Sequence, residues 1–497
     1  MKQAFKHTSY LSFFVLVISV LPAGCKVMAP QPEPSVKGLP AQYNRPDSVQ
    51  AAVRTTDSVQ LDFRKLFPDE HLVSFVDSAL RHNTDLQIAL QKVITAEARL
   101  VARRGALAPS LDGVISGSAD RYGDYTLNGV GNFDTNLSPN INKDQRIPTS
   151  PTTDMFIGLR SNWEIDIWGK LKHLKKAALA EVLSTREARQ FVVTNLVARL
   201  TAGYYNLLAL DAELGIVQRN VQLQEEALEI VKVQKEGGRA TELAVQQFNA
   251  QLLNTRAIAY TLQQERIGVE NELNALAGNY PQTIRRDTGL SRTSGIVITA
   301  GVPTALLSNR PDIRQYEYQL EAARENVVAA RRSFLPSLVI SPYVALNAFT
   351  PGLLFKGGSE AFGVLGGITT PFLRQGELRA QYTIANAANR EAVYEYQQGL
   401  LDAYSEVVTH MSAVENNRHA YTIKKQEVEQ LRAAVVTARD LYLSGYANYL
   451  EVITAQKNVL EAELQLVRQK RDIFVAQVQL YRALGGGWQS PPVSSIR

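Results

Sequence analysis

Residues able to carry chemistry are few along this chain. Cys25 is the single cysteine, so no intrachain disulfide can form and no thiolate cluster can hold a metal. His71, His82, His173, His410 and His419 show no zinc-type spacing, and no cysteine is placed to join them. Gly485, Gly486 and Gly487 follow an apolar-periodic segment, where glycines end a helix; a loop that cradles phosphate precedes one. No nucleophile, base and oxyanion donor converge as a catalytic site needs. The reading is a protein that is not an enzyme and needs neither metal nor cofactor.

The one reaction the residues suggest is done to the protein. Lys2 and Lys6 precede an apolar run from Leu11 to Leu21, too short to span a bilayer but shaped like a secretory signal. Leu21-Pro22-Ala23-Gly24-Cys25 follows and resembles a bacterial lipobox, with Pro22 standing where leucine is usual. Cleavage before Cys25 and diacylation of its thiol would leave an exported, lipid-anchored protein, held by ~0.8 kcal/mol per buried methylene. The alternative is plain cleavage near Gly24, leaving a free thiol.

Charge is the next feature. The chain of 497 residues carries a formal charge of +5, but Lys and Arg alternate with Glu and Asp along helical segments, which excludes the concentrated patch of a nucleic-acid binder. Basic residues cluster at four places: Arg103-Arg104; Lys170, Lys172, Lys175 and Lys176; Arg331-Arg332; Arg374 with Arg379. All four lie where a helical pattern meets a strand pattern, as expected of cationic side chains reaching lipid phosphates at one membrane face.

The elements that position these clusters arise by duplication. Asp85, Ala96, Val101, Arg104, Pro109 and Leu111 recur as Asp312, Ala323, Val328, Arg331, Pro336 and Leu338, each 227 residues on. Gly169, Leu171, Gly238, Leu243, Leu273 and Gly278 recur as Gly376, Leu378, Gly445, Leu450, Leu480 and Gly485 at an offset of 207. Two copies of one unit are therefore present, differing by a loop that is longer in the first.

Within each copy the period switches. Lys170 to Glu236 and Glu377 to Ser444 contain no proline; their 3,4 apolar spacing predicts helices of roughly 100 Å, joined by glycine turns to shorter partners in coiled-coil packing. Between Pro109 and Gly169, and between Pro336 and Gly376, the period falls to two. Met155, Ile157, Leu159, Trp163, Ile165 and Ile167 fall on one face, Arg160, Asn162, Glu164 and Asp166 on the other. Each copy thus holds one β-hairpin with arms long enough to cross a membrane when tilted, its tip at Asp124 to Thr153 or Ala348 to Glu360. Four strands cannot close a barrel, and an open edge is untenable in hydrocarbon, so several protomers must pool their strands.

The expected organisation is a lipoprotein signal peptide at 1–24, a lipid-anchored extended tether at 25–69, and a first repeat at 70–280 with its hairpin at 110–168. A linker at 281–302, a second repeat at 303–485 with its hairpin at 337–373, and a tail at 486–497 complete it.

The motifs Asn83-Thr84-Asp85-Leu86, Trp163 to Gly169 (WEIDIWG), Asn309 to Arg314 (NRPDIR), Phe334-Leu335-Pro336-Ser337, Gly445 to Gln456 (GYANYLEVITAQ) and Ala483 to Trp488 (ALGGGW) make the chain similar to the TolC-like outer-membrane factors. The resemblance runs from Phe67 to Trp488 and is to the lipoprotein branch that serves resistance-nodulation-division pumps. It implies a mixed fold, mainly α with a membrane β-barrel: a long coiled-coil α-barrel continued by a trimeric twelve-stranded outer-membrane β-barrel, four strands per protomer in two structural repeats. Implied partners are two further copies, a periplasmic adaptor, an inner-membrane resistance-nodulation-division pump and outer-membrane lipid, with no nucleic acid.

By the same resemblance Tyr442, Leu450, Glu451 and Thr454 occupy positions of a periplasmic gate. Thr454 stands where an aspartate is frequent, and Ala244 replaces an acidic partner seen in some members. Gly237, Gly238, Arg239, Thr241, Gly445, Tyr446 and Asn448 match tip turns presented to adaptors. The implied function is an outer-membrane channel conducting drugs, toxic compounds or metal ions passively. A type I protein-secretion channel shares the architecture, and a periplasmic coiled-coil adaptor or scaffold lipoprotein is the alternative of another class.

Overall fold

A computed structural model describes residues 32–40, 63–286, 290 and 310–486. The signal segment, Cys25, most of the 281–302 linker, Asn309 and the tail beyond Gly486, with Trp488, lie outside the described residues. In chain order the helices and strands are α1 (Phe63–Leu66), α2 (Glu70–His82), α3 (Thr84–Gly105), β1 (Ser110–Asp120), α4 (Leu127–Asn136), β2 (Thr152–Ile165), α5 (Lys170–Glu236) and α6 (Glu242–Leu276). Then follow α7 (Pro311–Arg332), β3 (Ser337–Ala348), β4 (Glu360–Thr369), α8 (Gln375–Leu443) and α9 (Tyr449–Ala483). The chain divides into two compact units.

One unit, built from residues 32–34, 95–182 and 318–393, holds the sheet. Its order is β1-β2-β3-β4, every neighbour antiparallel. Register sorts the side chains into two faces, because successive residues point oppositely. Leu111, Ile115, Ile157, Leu159, Trp163, Ile340, Val344, Phe362, Val364 and Ile368 share one face. Ser116, Ser118, Asp154, Arg160, Asn162, Ser341, Tyr343 and Asn347 share the other. The β2–β3 pairing lapses between Arg160↔Tyr343 and Trp163↔Ile340, where Pro342 has no N–H to give the ladder; Ser341 Oγ donates instead to Asn162 Oδ1 at 3.1 Å.

The second face departs from the expected polar strip at several points, carrying Val114, Val339 and Leu365 as well as Phe156. Phe156 is buried there, 6.1 Å from the Tyr343 ring, and Arg160 lies over it at 4.2 Å, a cation–π contact. The strand also ends earlier than alternation suggested. Ile167 lies beyond β2, in the turn into α5, and is exposed.

The other unit holds most of α5, α6, α8 and α9. α5 runs 67 residues and α8 69, each followed by a helix of 35. At 1.5 Å per residue the long pair reach roughly 100 Å. Their core is aliphatic over most of its length, with an aromatic knot where Tyr205 stacks on Phe474 at 4.6 Å beside Phe67 and Tyr481. Close packing is visible at Gly203, where an added Cβ would stand 2.7 Å from a Leu273 methyl.

The duplication shows in individual bonds. Asn83 Nδ2 donates to the Leu276 carbonyl at 2.8 Å, and Arg310, its counterpart 227 residues on, donates to the carbonyl of Ala483 at 2.8 Å. Each clips the last turn of the shorter helix in its own repeat, satisfying a carbonyl with no partner in the helix. Among the described residues no helix is long and apolar enough to cross a membrane.

Candidate functional site

Three regions of the chain carry the expected functional residues: the sheet, the strand-to-helix junctions and the tip turns. In the sheet, the apolar face is uncovered. Ile115 is 82% exposed, Phe362 82% and Val364 73%. A contiguous apolar surface of this kind demands a non-aqueous neighbour. β1 and β4 each pair on one side only, so both outer edges of the sheet present free backbone groups.

The junction between β2 and α5 is built by polar residues. Gly169 takes φ +76°, a left-handed conformation open to glycine. Asp166 accepts from the Leu171 and Lys172 N–H groups at 3.0 and 2.8 Å, placing a carboxylate at the positive end of a 67-residue helix. Trp168 Nε1 donates to the Pro336 carbonyl at 2.7 Å, and Trp163 Nε1 to that of Leu107 at 3.1 Å. His173 pairs with Glu325.

Basic side chains at these junctions divide by partner. Lys170 is bound to Glu164 at 2.5 Å, Arg374 to Glu377 at 2.9 Å, and Arg332 to the Trp168 carbonyl. Lys176 stands 3.8 Å from Glu325. Arg331 buries its Nε without a hydrogen-bond partner. Arg103, Arg104, Lys172 and Arg379 are exposed. The sequence showed the clustering, but not that Lys170, Arg332 and Arg374 are already engaged within the chain.

The tip turns follow one design twice. Gly238 and Gly445, 207 residues apart, have φ +72° and +81°. Three residues after each, Thr241 accepts from Ala244 N–H at 3.2 Å and Asn448 from Leu450 N–H at 2.9 Å and Glu451 N–H at 3.3 Å. These are N-caps, with side-chain oxygens satisfying the free donors of a helix start. Gly237, Gly238, Arg239, Thr241, Gly445, Tyr446 and Asn448 are all exposed.

Beyond the caps the copies diverge. Ala244 is 1% exposed, packed with Leu228, Val231, Phe248 and Ile453. Its counterpart Glu451 is exposed, as are Leu450 and Thr454. Tyr442 is half-buried against the same apolar cluster, and burial pushes its phenol above the ordinary value. Alanine at 244 is therefore a core residue of its own helix pair, and a carboxylate there would be buried. The expected gate residues thus sit in one turn and its flanks, with Tyr442 facing inward to the protomer's core.

Sequence reading missed the buried ion pairs that tie the helices. Glu213, 1% exposed, accepts from Arg468 at 2.9 and 3.1 Å. Arg310 meets Asp312 at 2.6 Å and Glu406 at 2.9 Å. Arg286 meets Asp211 at 2.5 Å and Glu270 at 2.7 Å. Only Arg310, within the NRPDIR motif, had a sequence signal. Among the described residues no group of acidic, histidine or cysteine side chains is placed to hold a metal.

The two halves of this geometry match one family twice over. The model of the outer membrane efflux protein family aligns with residues 75–279 and again with 302–486. This chain belongs to that family. Among its relatives, the solvent efflux pump outer membrane protein SrpC of Pseudomonas putida is 29% identical over 427 residues, 86% of this chain and 87% of that one. The cation efflux system protein CusC of Escherichia coli is 26% identical over 470 residues, covering 93% and 96%. A crystal structure of a membrane protein from Pseudomonas aeruginosa superposes with a TM-score of 0.79 at 25% identity, covering 89% of this chain and all but 1% of that one. A crystal structure of CusC does so with a TM-score of 0.79 at 25% identity, covering 92% and 99%. The protein is therefore an outer-membrane efflux channel, mainly helical with a small sheet, in the TolC-like fold, and it is not an enzyme.

Proposed function

We propose that this protein is the outer-membrane duct of a tripartite export system, passively conducting drugs, toxic compounds or metal ions received from an inner-membrane resistance-nodulation-division pump through a periplasmic adaptor. The observation that carries the proposal is the four-stranded sheet, with one uncovered apolar face, one largely polar face and two free edges. Its strands alternate in direction, so β1 of one copy can continue β4 of the next with the antiparallel sense unbroken. Three copies make twelve strands and leave no edge, with the apolar face to lipid and the polar face to water. The relatives' names support small solutes: SrpC is named for solvent, CusC for cations, and OpmQ of Pseudomonas putida for pyoverdine export.

Further assignments belong to the same reading. Diacylated Cys25, freed from residues 1–24, anchors the chain. Exposed Arg103, Arg104, Lys172 and Arg379 reach lipid phosphates, while the engaged Lys170, Arg332 and Arg374 set the junction. The turns at Gly237 to Thr241 and Gly445 to Asn448 meet the adaptor. Tyr442, Leu450, Glu451 and Thr454 form the constriction, where three exposed Glu451 carboxylates near one axis favour cations.

Two arginine substitutions on opposite faces of the sheet test the lipid-facing claim. Val364→Arg places a charge on the apolar face and is expected to cost about 2–4 kcal/mol if that residue sits at mid-bilayer depth, abolishing heat-resistant trimers from outer-membrane fractions. Ser118→Arg on the other face is expected to leave trimers intact and alter conductance in planar bilayers. Equal tolerance at both positions refutes the proposal.

A further inference from the structure

The helix bundle contains a cavity of about 120 Å³ between α5, α6, α8 and α9 near the tip turns. Its walls are mainly apolar and include Phe248, Val452, Val459 and Tyr442. Buried amides interrupt that character. Gln224 lines the cavity at 2% exposure, and neither its Nε2 nor its Oε1 has a hydrogen-bond partner. Gln456 also lines it, with Oε1 buried and unpartnered. A buried amide left this way is destabilising, and leucine would fill the same volume without the penalty. What glutamine offers is a donor and an acceptor side by side.

That pair is complementary to a primary amide or lactam, whose carbonyl accepts from Nε2 while its N–H donates to Oε1. The enclosed space is smaller than the ~150 Å³ that admits a benzene ring in a closed apolar cavity, so a ring held here extends through the open side toward solvent; apolar walls with few convergent polar groups mark ligand sites generally. Exposed Glu226 and Arg439 also line it, so it communicates with solvent. We infer that this cavity is a binding site for a small aromatic amide or lactam, held by paired hydrogen bonds to Gln224 and packed against Phe248 and Tyr442. Occupancy would brace Tyr442 and so reduce channel opening; that consequence rests on the proposed gate, whereas binding does not.

The probe is para-fluorobenzamide, titrated by fluorine NMR into the full-length protein in detergent, with para-fluorotoluene as a control that lacks the amide. Wild type is expected to bind the amide saturably, and Gln224→Leu to weaken it by at least roughly tenfold without weakening fluorotoluene or lowering the thermal midpoint. Absence of saturable amide binding to wild type, or equal affinity in Gln224→Leu, overturns the site. Should Gln224→Leu fail to fold, Val459→Phe, which fills the cavity, carries the same comparison, and amide binding retained there overturns it. Amide binding without any change in bilayer conductance upholds the site and removes Tyr442 from the gate.

Discussion

Glu213 supplies the sharpest quantitative test of how the bundle holds together. Its side chain is 1% exposed on α5, and one carboxylate oxygen accepts from Arg468 Nε and Nη2 on α9 at 3.1 and 2.9 Å. Its other oxygen has no partner. The hydrogen bond to Glu213, with the charges of Glu265 and Asp472, holds Arg468 above its ordinary pKa despite partial burial. Arg468→Met keeps the aliphatic stem and strands a carboxylate in the core, a change that costs about 3–5 kcal/mol. Arg468 is 49% exposed, so water reaches the pair from its side and the lower end, about 3 kcal/mol, is expected. That corresponds to roughly a hundredfold loss in the folded-to-unfolded ratio. Glu213→Met with Arg468→Met removes both charges and is expected within about 1 kcal/mol of wild type, or above it. Guanidinium unfolding in detergent, followed by helical signal and by loss of trimer on gels, measures all four corners of the cycle. The reasoning fails if Arg468→Met matches wild type, or if the double variant is no more stable than the single one.

Three further expectations concern charge and anchoring. Glu451→Gln is expected to lower cation preference in planar-bilayer recordings, and unchanged selectivity removes Glu451 from the pore. Burial holds His410 below its ordinary 6.5, aided by Arg482 and opposed by Glu406, so the folded state favours neutral imidazole. Its contribution is full above that value and declines as pH falls below it. Thermal midpoints near about pH 8 and about pH 5 are therefore expected to differ less in His410→Gln than in wild type, and identical differences refute this. Cys25→Ala is expected to abolish palmitate incorporation; label persisting in the variant rules out acylation at that thiol.

Long-range order was legible where it repeats. Proline-free stretches marked both ends of α5, Lys170–Glu236, and those of α8, Gln375–Leu443, to within two residues, because a helix this long leaves an unbroken 3,4 pattern. Alternation likewise sorted Ile157, Leu159 and Trp163 from Arg160 and Asn162. Local features set by tertiary partners were not legible. α4 carries two glycines, poor helix formers, yet forms with Thr126 as its N-cap. The Glu213–Arg468 pair joins residues 255 apart, and nothing in either helix's own periodicity names the other. Gln224 reads as one more polar position on a long helix; only the surrounding packing makes it a buried amide. Ala244 looked like a lost acid by motif, whereas its neighbours make it a core residue.

The unpaired outer strands carry a consequence for biogenesis. A single copy released into the periplasm would expose two sticky borders of some ten residues each, beside a greasy surface, and would be prone to clump. Self-association and entry into the bilayer should therefore be one coupled event, with escort by a holding chaperone until three chains meet. Overproduction that outruns this meeting is then expected to yield aggregates; stockpiled single chains are not.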